Sequence, residues 1–364
     1  MRLGAAGALV DGAYRPGDVE VDRETGRVTA VGVPGPGHGL ALPGLIDLQV
    51  NGFGGVDFLA ADAEGYRRAG RALAATGVLA YQPTLITSEP GQAVTAIAAA
   101  AAVAPGAARI LGVHLEGPFL SPHRPGTHPV RLLRAPDAEL ARRLRAAGPV
   151  TQITLAPELP GALELVGQLV AAGVTVSCGH SDATAEEAHA AFDRGARLVT
   201  HLYDAMRPFA HRDPGIVGAA LTRQDVTLGL IADPSHLSPE AIRLAFRAAP
   251  GRIVLVTDAL AAAGCPDGRY PLGEVEFTVA DGVARRADGT LVGSTATLLD
   301  GVRHAAEVGI PLERAAAAAT SAPAGFHQGR GIGLLRPGDW ADVLVLDDGL
   351  SPRTVLDRGV PVEP

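Results

Sequence analysis

VTVSCGHSDATAEEAHAAFDRGARLVTHL, residues 174–202, is the stretch whose reading decides the fold. Val174–Cys178 is a short, largely apolar run that reads as a buried strand. Thr184–Arg194 follows with alanine-rich helical period, and Leu198–Thr200 returns to a buried strand. The same alternation extends in both directions. Further strands are expected at Gly44–Val50, Leu79–Leu85, Ile110–Leu115, Gln152–Ala156, Thr227–Ile231 and Ile253–Val256. Helical segments between them include Asp62–Ala75, Asp137–Ala147, Gly161–Ala172 and Pro239–Ala248. Eight strands separated by helices over roughly 250 residues are the signature of a (β/α)8 TIM-like barrel. A doubly wound sheet would also alternate, but it carries a glycine-rich phosphate fingerprint, and Gly52-Phe53-Gly54-Gly55 is not one.

The two chain ends read differently. Ala8–Tyr14, Asp18–Asp22 and Val28–Val33 are short strands between Gly, Pro and Asp, and Asp342–Asp347 and Thr354–Asp357 match them at the other end. The expected α/β architecture is therefore a barrel over residues 43–334. Residues 1–42 and 335–364 would fold together as a small β-sandwich domain.

Composition narrows the function. In 364 residues, 47% are apolar and 19% charged, enough for a large core and too apolar for a disordered chain. The formal net charge of −8 argues against general nucleic-acid binding, which needs a basic surface. All 31 basic residues are arginine. Without lysine there is no Schiff base, no P-loop lysine and no carboxylated-lysine metal bridge. Two cysteines, Cys178 and Cys265, make neither a disulfide framework nor a thiolate zinc site. The N-terminal MRLGAAGALVDG lacks the apolar core of a signal peptide, and Ala93–Pro105 is too short and alanine-rich to span a bilayer. A soluble cytoplasmic protein with no membrane partner is expected.

Barrel chemistry sits at the carboxyl ends of the strands. Strand three runs into His114-Leu115-Glu116, strand five into Gly179-His180, strand six into Thr200-His201 and strand eight into Thr257-Asp258. Glu116, His180 and His201 form a ligand set for a hydrolytic divalent ion with a position open for water. Asp258 is then placed to take a proton from that water. Any one of these residues alone reads more readily as a helix cap or turn former, but four on four strand ends read as a site. His114 points the same way as Glu116, as a partner of the ligands or as packing. His38, His189, His304 and His327 are expected to be structural.

At these residues the sequence resembles the N-acetylglucosamine-6-phosphate deacetylases of the amidohydrolase superfamily over essentially its whole length. The likeness is carried by PGLIDLQVNGFGGVDF from Pro43, QPTLITS from Gln82, HLEGPFLSPHRPGTH from His114 and TLAPE from Thr154. It continues through GHSDAT from Gly179, THLYDAM from Thr200, HRDPGIVGA from His211, VTDALAAAG from Val256 and GSTATLLDGVR from Gly293. GIGLLRPGDWADVLVLD from Gly331 resembles the returning strands of the superfamily. The resemblance implies Glu116, His180 and His201 as metal ligands and Asp258 as catalytic acid/base. It also implies Thr127 and His128 at the acetamido group, with His128 aiding the oxyanion. Asp204, Ala205, Arg212, His236 and the Leu291-Val292-Gly293 turn match positions that contact sugar and phosphate. Arg212 and His236 are expected to reach the phosphate across the interface of a homodimer. Guanidinium and imidazole donors suit a lysine-free phosphate site.

Three departures stand out. Gln49-Val50-Asn51 replaces the superfamily's first-strand His-x-His, as is usual for the deacetylases, and points to one metal ion per subunit. Zinc is the first expectation, and the same ligands accept iron, manganese or cobalt. Asp204 stands where the family has asparagine, and Pro234 stiffens a loop expected to approach the substrate. The implied reaction is hydrolysis of N-acetyl-D-glucosamine 6-phosphate to glucosamine 6-phosphate and acetate. The alternatives are a related N-acyl amino sugar or its 6-phosphate as substrate, or an inactive barrel kept as a binding module.

Overall fold

The computed structural model describes residues 1–104, 106, 108–327 and 331–362. Pro105, which ends the apolar run above, and residues 363–364 of the expected end domain lie outside them. Eight parallel strands form the barrel: β1 (Leu45–Val50), β2 (Val78–Ile86), β3 (Val113–Glu116), β4 (Val150–Leu155), β5 (Thr175–Cys178), β6 (Leu198–Val199), β7 (Thr227–Leu230) and β8 (Ile253–Leu255). Each pairs in parallel with the next from β1 to β8. No ladder joins β8 back to β1. The ring is nearly closed there by a single bridge, Val50 to Ala259, with hydrogen bonds from Asp258 N to Gln49 O (2.9 Å) and from Asn51 N to Ala259 O (2.7 Å).

Helices pack outside because their sequences stop and start cleanly. In the segment quoted first, Thr184 caps the helix α1 (Ala185–Asp193), accepting from Glu187 N while the Glu187 carboxylate accepts from Thr184 N. This reciprocal cap satisfies two otherwise orphaned N–H groups. Apolar faces of the helices and strands merge into one continuous core. Among the described residues no helix is long and apolar enough to cross a membrane.

The chain ends do come together. Leu40–Pro43 pairs in parallel with Gly7–Val10 and antiparallel with Val343–Leu346, joining both ends in a six-stranded sheet. The hairpin Asp18–Asp22/Arg27–Val33 packs against it around Val19, Val21, Val28, Ala41, Val343 and Val345. One expected element is corrected: Ala8–Tyr14 is not a single strand. It turns at Asp11-Gly12, both with left-handed φ (53° and 73°), to give a hairpin of Gly7–Val10 with Ala13–Pro16. Asp-Gly is the residue pair that a two-residue hairpin turn requires. A second antiparallel element, Gly268–Leu272, Val275–Ala280 and Val283–Arg285, follows β8 and escaped the sequence reading. Its Asp281-Gly282 turn carries the same signal, with φ of 51° and 72°.

At the amino end of β8, opposite the strand ends that carry the chemistry, Arg252 is buried. Its guanidinium donates to Val226 O (2.6 Å), Leu221 O (2.9 Å) and Ala220 O (3.3 Å), so it collects carbonyls at the end of the Gly215–Thr222 helix. Replacing Arg252 by Ala strands those carbonyls. A charged hydrogen bond contributes about 1.5–3 kcal/mol, so the unfolding free energy should fall by that amount, seen as a lower urea midpoint at unchanged slope. Turnover at room temperature should not change, because the residue is remote from the site. A loss below about 0.5 kcal/mol, the range of an ordinary surface substitution, would show that the helix end does not depend on it.

Candidate metal centre

Parallel strands deliver their carboxyl ends to one rim, and that rim brings Glu116, His180, His201 and Asp258 together. Glu116 ends β3; the other three lie just past β5, β6 and β8. His180, His201 and Asp258 hold left-handed backbones with φ of 49°, 29° and 53°. Such conformations cost non-glycine residues roughly 1–3 kcal/mol each and persist only where surrounding structure enforces them. Here they turn side chains off the strand line into the barrel mouth.

Glu116 Oε1 lies 3.2 Å from His180 Nε2 and 3.0 Å from His201 Nε2, and the two imidazole nitrogens are 3.1 Å apart. All three side chains are buried. Among the described residues they form the one cluster suited to hold a metal ion. The triangle's dimensions suit ligand atoms sharing one ion at roughly 2.0–2.2 Å. The tautomer suits it as well: His180 Nδ1 lies 3.1 Å from Arg124 O and donates to it, leaving the Nε2 lone pair free for the triangle. Burial drives His180 down to about 4, keeping it a neutral ligand. Burial also pulls His201 down, but its bond to Glu116 overrides this and lifts it to about 9. The cluster therefore demands positive charge at its centre, which a divalent ion supplies. His114 does not join it. His114 sits below, between Thr84 Oγ1 (3.1 Å) and Thr154 Oγ1 (2.7 Å), and burial drives it down to about 4.

Gln49 and Asn51 face the triangle from β1 as hydrogen-bond donors. Gln49 Nε2 donates to Glu116 Oε1 and Asp258 Oδ1, each at 3.0 Å, and Asn51 Nδ2 donates to Asp258 Oδ1 at 2.7 Å. The first-strand pair thus ties the acid to the ligand cluster. Burial and then the Glu116 charge push Asp258 up to about 7, against the pull of His201 and Asn51. Gly293 passes beneath it: a Cβ there would meet Asp258 O at 2.8 Å and Oδ2 at 3.2 Å, so glycine is needed for close approach.

A cleft of about 440 Å³ opens over this cluster. Of the expected substrate contacts, Thr127, His128, Asp204, Ala205, His236, Leu291 and Val292 line it. Gly293 lies behind the lining. Arg212 is exposed and outside the cleft of this one chain. The Thr87 N–H donates to His128 Nδ1 (3.2 Å), which places the His128 proton on Nε2, 3.7 Å from Glu116 Oε2. Pro234 is exposed at the tip of its loop, whose shape is set by Asp233. Asp233 Oδ1 accepts from Ser235 N (2.8 Å) and His236 N (2.9 Å), and Oδ2 from His236 Nδ1 (2.8 Å). Burial opposes a charge on His236, but Asp233 outweighs it and raises the imidazole above its ordinary range. Asp204 Oδ2 is buried without a partner, and burial lifts that carboxyl to about 6.

Sequence reasoning missed Arg124, His123, Leu272 and Thr290 in the lining. Arg124 and His123 were legible as the basic pair between Glu116 and His128. Arg124 Nε is held by Asp182 Oδ1 at 2.8 Å. Leu272 and Thr290 come from the inserted hairpin region and depended on recognising it.

The Amidohydrolase family model matches residues 40–360. The chain is 40% identical over 342 residues to the N-acetylglucosamine-6-phosphate deacetylase of Danio rerio, covering 88% of this chain and 83% of that one. It is 38% identical to the N-acetylgalactosamine-6-phosphate deacetylase of Escherichia coli O157:H7, covering 88% and 87%. Among solved structures, it is similar to an N-acetyl-D-glucosamine-6-phosphate deacetylase mutant from Mycobacterium smegmatis in complex with N-acetyl-D-glucosamine-6-phosphate. That match has a TM-score of 0.94 and 36% identity, over 100% of this chain and 99% of that one.

Elemental analysis of the purified protein should find about one divalent ion per chain. Replacing His201 by Ala leaves two ligands and should weaken metal binding beyond the roughly 10–100-fold that loss of a ligand's supporting partner costs. A His201→Ala protein that retains a full complement of tightly held metal would remove His201 from the ligand set.

Proposed function

Because the chain belongs to the amidohydrolase family, and within it to the N-acetylglucosamine-6-phosphate deacetylases, we propose that it hydrolyses the acetamide of N-acetyl-D-glucosamine 6-phosphate, yielding glucosamine 6-phosphate and acetate. The observation that carries this reading is the buried Glu116–His180–His201 triangle facing Asp258 across Gln49 in one cleft. Asp258, ionised, takes a proton from the attacking water as its oxygen bonds to the acetamide carbon. His128 presents its Nε2 proton to the carbonyl oxygen as negative charge gathers there. Asp258 then gives its proton to the departing nitrogen as the C–N bond breaks. Glu116, His180 and His201 would hold a divalent ion, which would supply Lewis-acid charge there.

Zinc is proposed because two imidazoles and a carboxylate suit it, though iron, manganese and cobalt bind the same donors. A homodimer is proposed because Arg212 lies outside its own cleft and would serve phosphate across an interface, whereas His236, expected beside it, lines the cleft of its own chain. The cytoplasm is proposed from the two free cysteines. The proposed division is a hydrolase barrel over residues 43–334 and a small β-domain over 1–42 and 335–364, supported by the apolar cluster that the two chain ends share around Val19, Val28, Ala41 and Val343, while Leu9, Leu42, Leu344 and Leu346 join the barrel core. The galactosamine relative and the unpartnered Asp204 oxygen favour, as second reading, a related N-acyl amino-sugar phosphate. Assaying amine release from N-acetylated hexosamines with and without a 6-phosphate separates the two.

Two outcomes test the roles. Replacing Asp258 by Asn should keep the metal and lower turnover at least about a hundred-fold with KM little changed. Because the base must be ionised and burial lifts it to about 7, kcat/KM of the parent should fall as pH drops through that value. Bound cation favours the carboxylate and moves the midpoint lower. Near-parental turnover in Asp258→Asn, or an acid limb of the parent profile that survives unchanged in that variant, would dismiss this base.

Replacing Arg212 by Ala removes a charge-assisted bond of about 1.5–3 kcal/mol to phosphate. That is roughly ten- to hundred-fold in kcat/KM on the phosphorylated sugar, with the free sugar unaffected. Equal losses on both would mean that Arg212 acts only on structure.

A further inference from the structure

We propose that Asp47 is a positioning residue for Asp258, acting through the hydroxyl of Thr257. The inference rests on the reading of Asp258 as the acid/base.

Asp47 lies on β1, fully buried, two residues before Gln49. Its carboxylate faces three donors. Oδ2 accepts from Thr257 Oγ1 at 2.7 Å, and Oδ1 accepts from Thr257 N and Gln49 N, each at 3.2 Å. The Thr257 oxygen in turn accepts from Ala259 N at 3.0 Å. One hydroxyl therefore ties down the residues on both sides of Asp258. Asp258 itself holds a left-handed backbone with φ of 53°, which needs such enforcement. Its N–H donates to Gln49 O at 2.9 Å, and its carboxylate accepts from the Gln49 amide. Asp47 thus grips both partners of the contact that aims the acid.

A buried carboxylate is an expensive way to close a barrel seam. Burial pushes Asp47 up to about 7, and its hydrogen bonds only partly offset this. Asparagine would keep the shape at lower desolvation cost, but its NH2 would oppose a donor on one side. Two acceptor oxygens against three donors is the feature that only a carboxylate provides.

The test removes the hydroxyl and then restores it. Thr257→Val keeps the shape and loses the link; kcat should fall roughly ten- to hundred-fold, as expected when a reacting group is misplaced by a fraction of an ångström to 1 Å. KM should stay within about three-fold and bound metal should be unchanged. Thr257→Ser should recover kcat to within about three-fold of the parent, because it keeps the hydroxyl and drops the methyl. Asp47→Asn should repeat the Thr257→Val loss. Hydrogen exchange of the segment 256–263, followed by mass spectrometry, reports the link without any substrate. Protection should fall in Thr257→Val and return in Thr257→Ser.

Parental kcat and protection in Thr257→Val would overturn the proposal. So would failure of Thr257→Ser to restore both, which would assign the role to the methyl group. Loss of metal or a rise in KM in step with kcat would show general collapse of the site and overturn it as well. If the parent shows no deacetylation at all, the reading of the reaction fails separately, and the exchange measurement still decides the link.

Discussion

The seam between β1 and β8 is the constraint on which the site depends. Seven strand pairs hold by parallel ladders, but the eighth contact is made between the end of β1 and the chain past β8, by Val50 and Ala259 and by bonds of Gln49 and Asn51 to Asp258. A ladder there would fix the backbone and leave the side chains alternating in and out. The open seam instead lets the chain after β8 turn left-handed at Asp258 and point its carboxylate inward. The same gap lets Gln49 and Asn51 spend their amides on the site. Barrel closure and acid placement are therefore one set of hydrogen bonds, and Gly293 makes room for them.

Electrostatics explains why the pieces are these residue types. Burial alone would expel a proton from His180 and force one onto Asp258. Glu116 opposes burial because the imidazoles of His128, His180 and His201 surround its carboxylate and hold it well below the ordinary carboxylate range. A compact anionic point lined by lone pairs is stable only when positive charge sits in it. In a lysine-free chain no ammonium side chain can fold in to neutralise that point, and the nearest arginine of the lining, Arg124, is held by Asp182.

Much of this was legible in the sequence because periodicity and strand ends carry it. The 174–202 segment folds as strand, helix and strand, and the rule that barrel chemistry lies at carboxyl ends finds all four central residues. What was not legible depends on contacts far apart in the chain. Leu40–Pro43 reads as part of a loop until Val343–Leu346 arrives to pair with it. The donor role of Gln49 becomes visible only when Glu116 and Asp258, 67 and 209 residues away, lie on either side of its amide. The two missed hairpins were a different failure. Their Asp-Gly turns stand in the sequence at Asp11-Gly12 and Asp281-Gly282, but the strands they join are short and partly exposed and give weak apolar patterns.

The asymmetry between reaction and substrate follows from the same geometry. At the reacting end of the cleft Glu116, Asp258, Gln49 and Asn51 are bonded to one another within the chain, so its chemistry can be read from one subunit. The far end is built from capacity left open. His236 has its Nδ1 committed to Asp233 and its other nitrogen at the cleft; Asp204 offers an oxygen with no partner. An imidazole raised by a carboxylate attracts an anion, and a carboxylate oxygen attracts a hydroxyl hydrogen. A sugar phosphate carries both, but their relative placement distinguishes one hexosamine from another. An asparagine at position 204 could meet either group, since its amide both donates and accepts; aspartate, once ionised, can only accept. The substitution therefore narrows which face of the sugar can turn toward that wall while leaving the hydrolytic centre untouched.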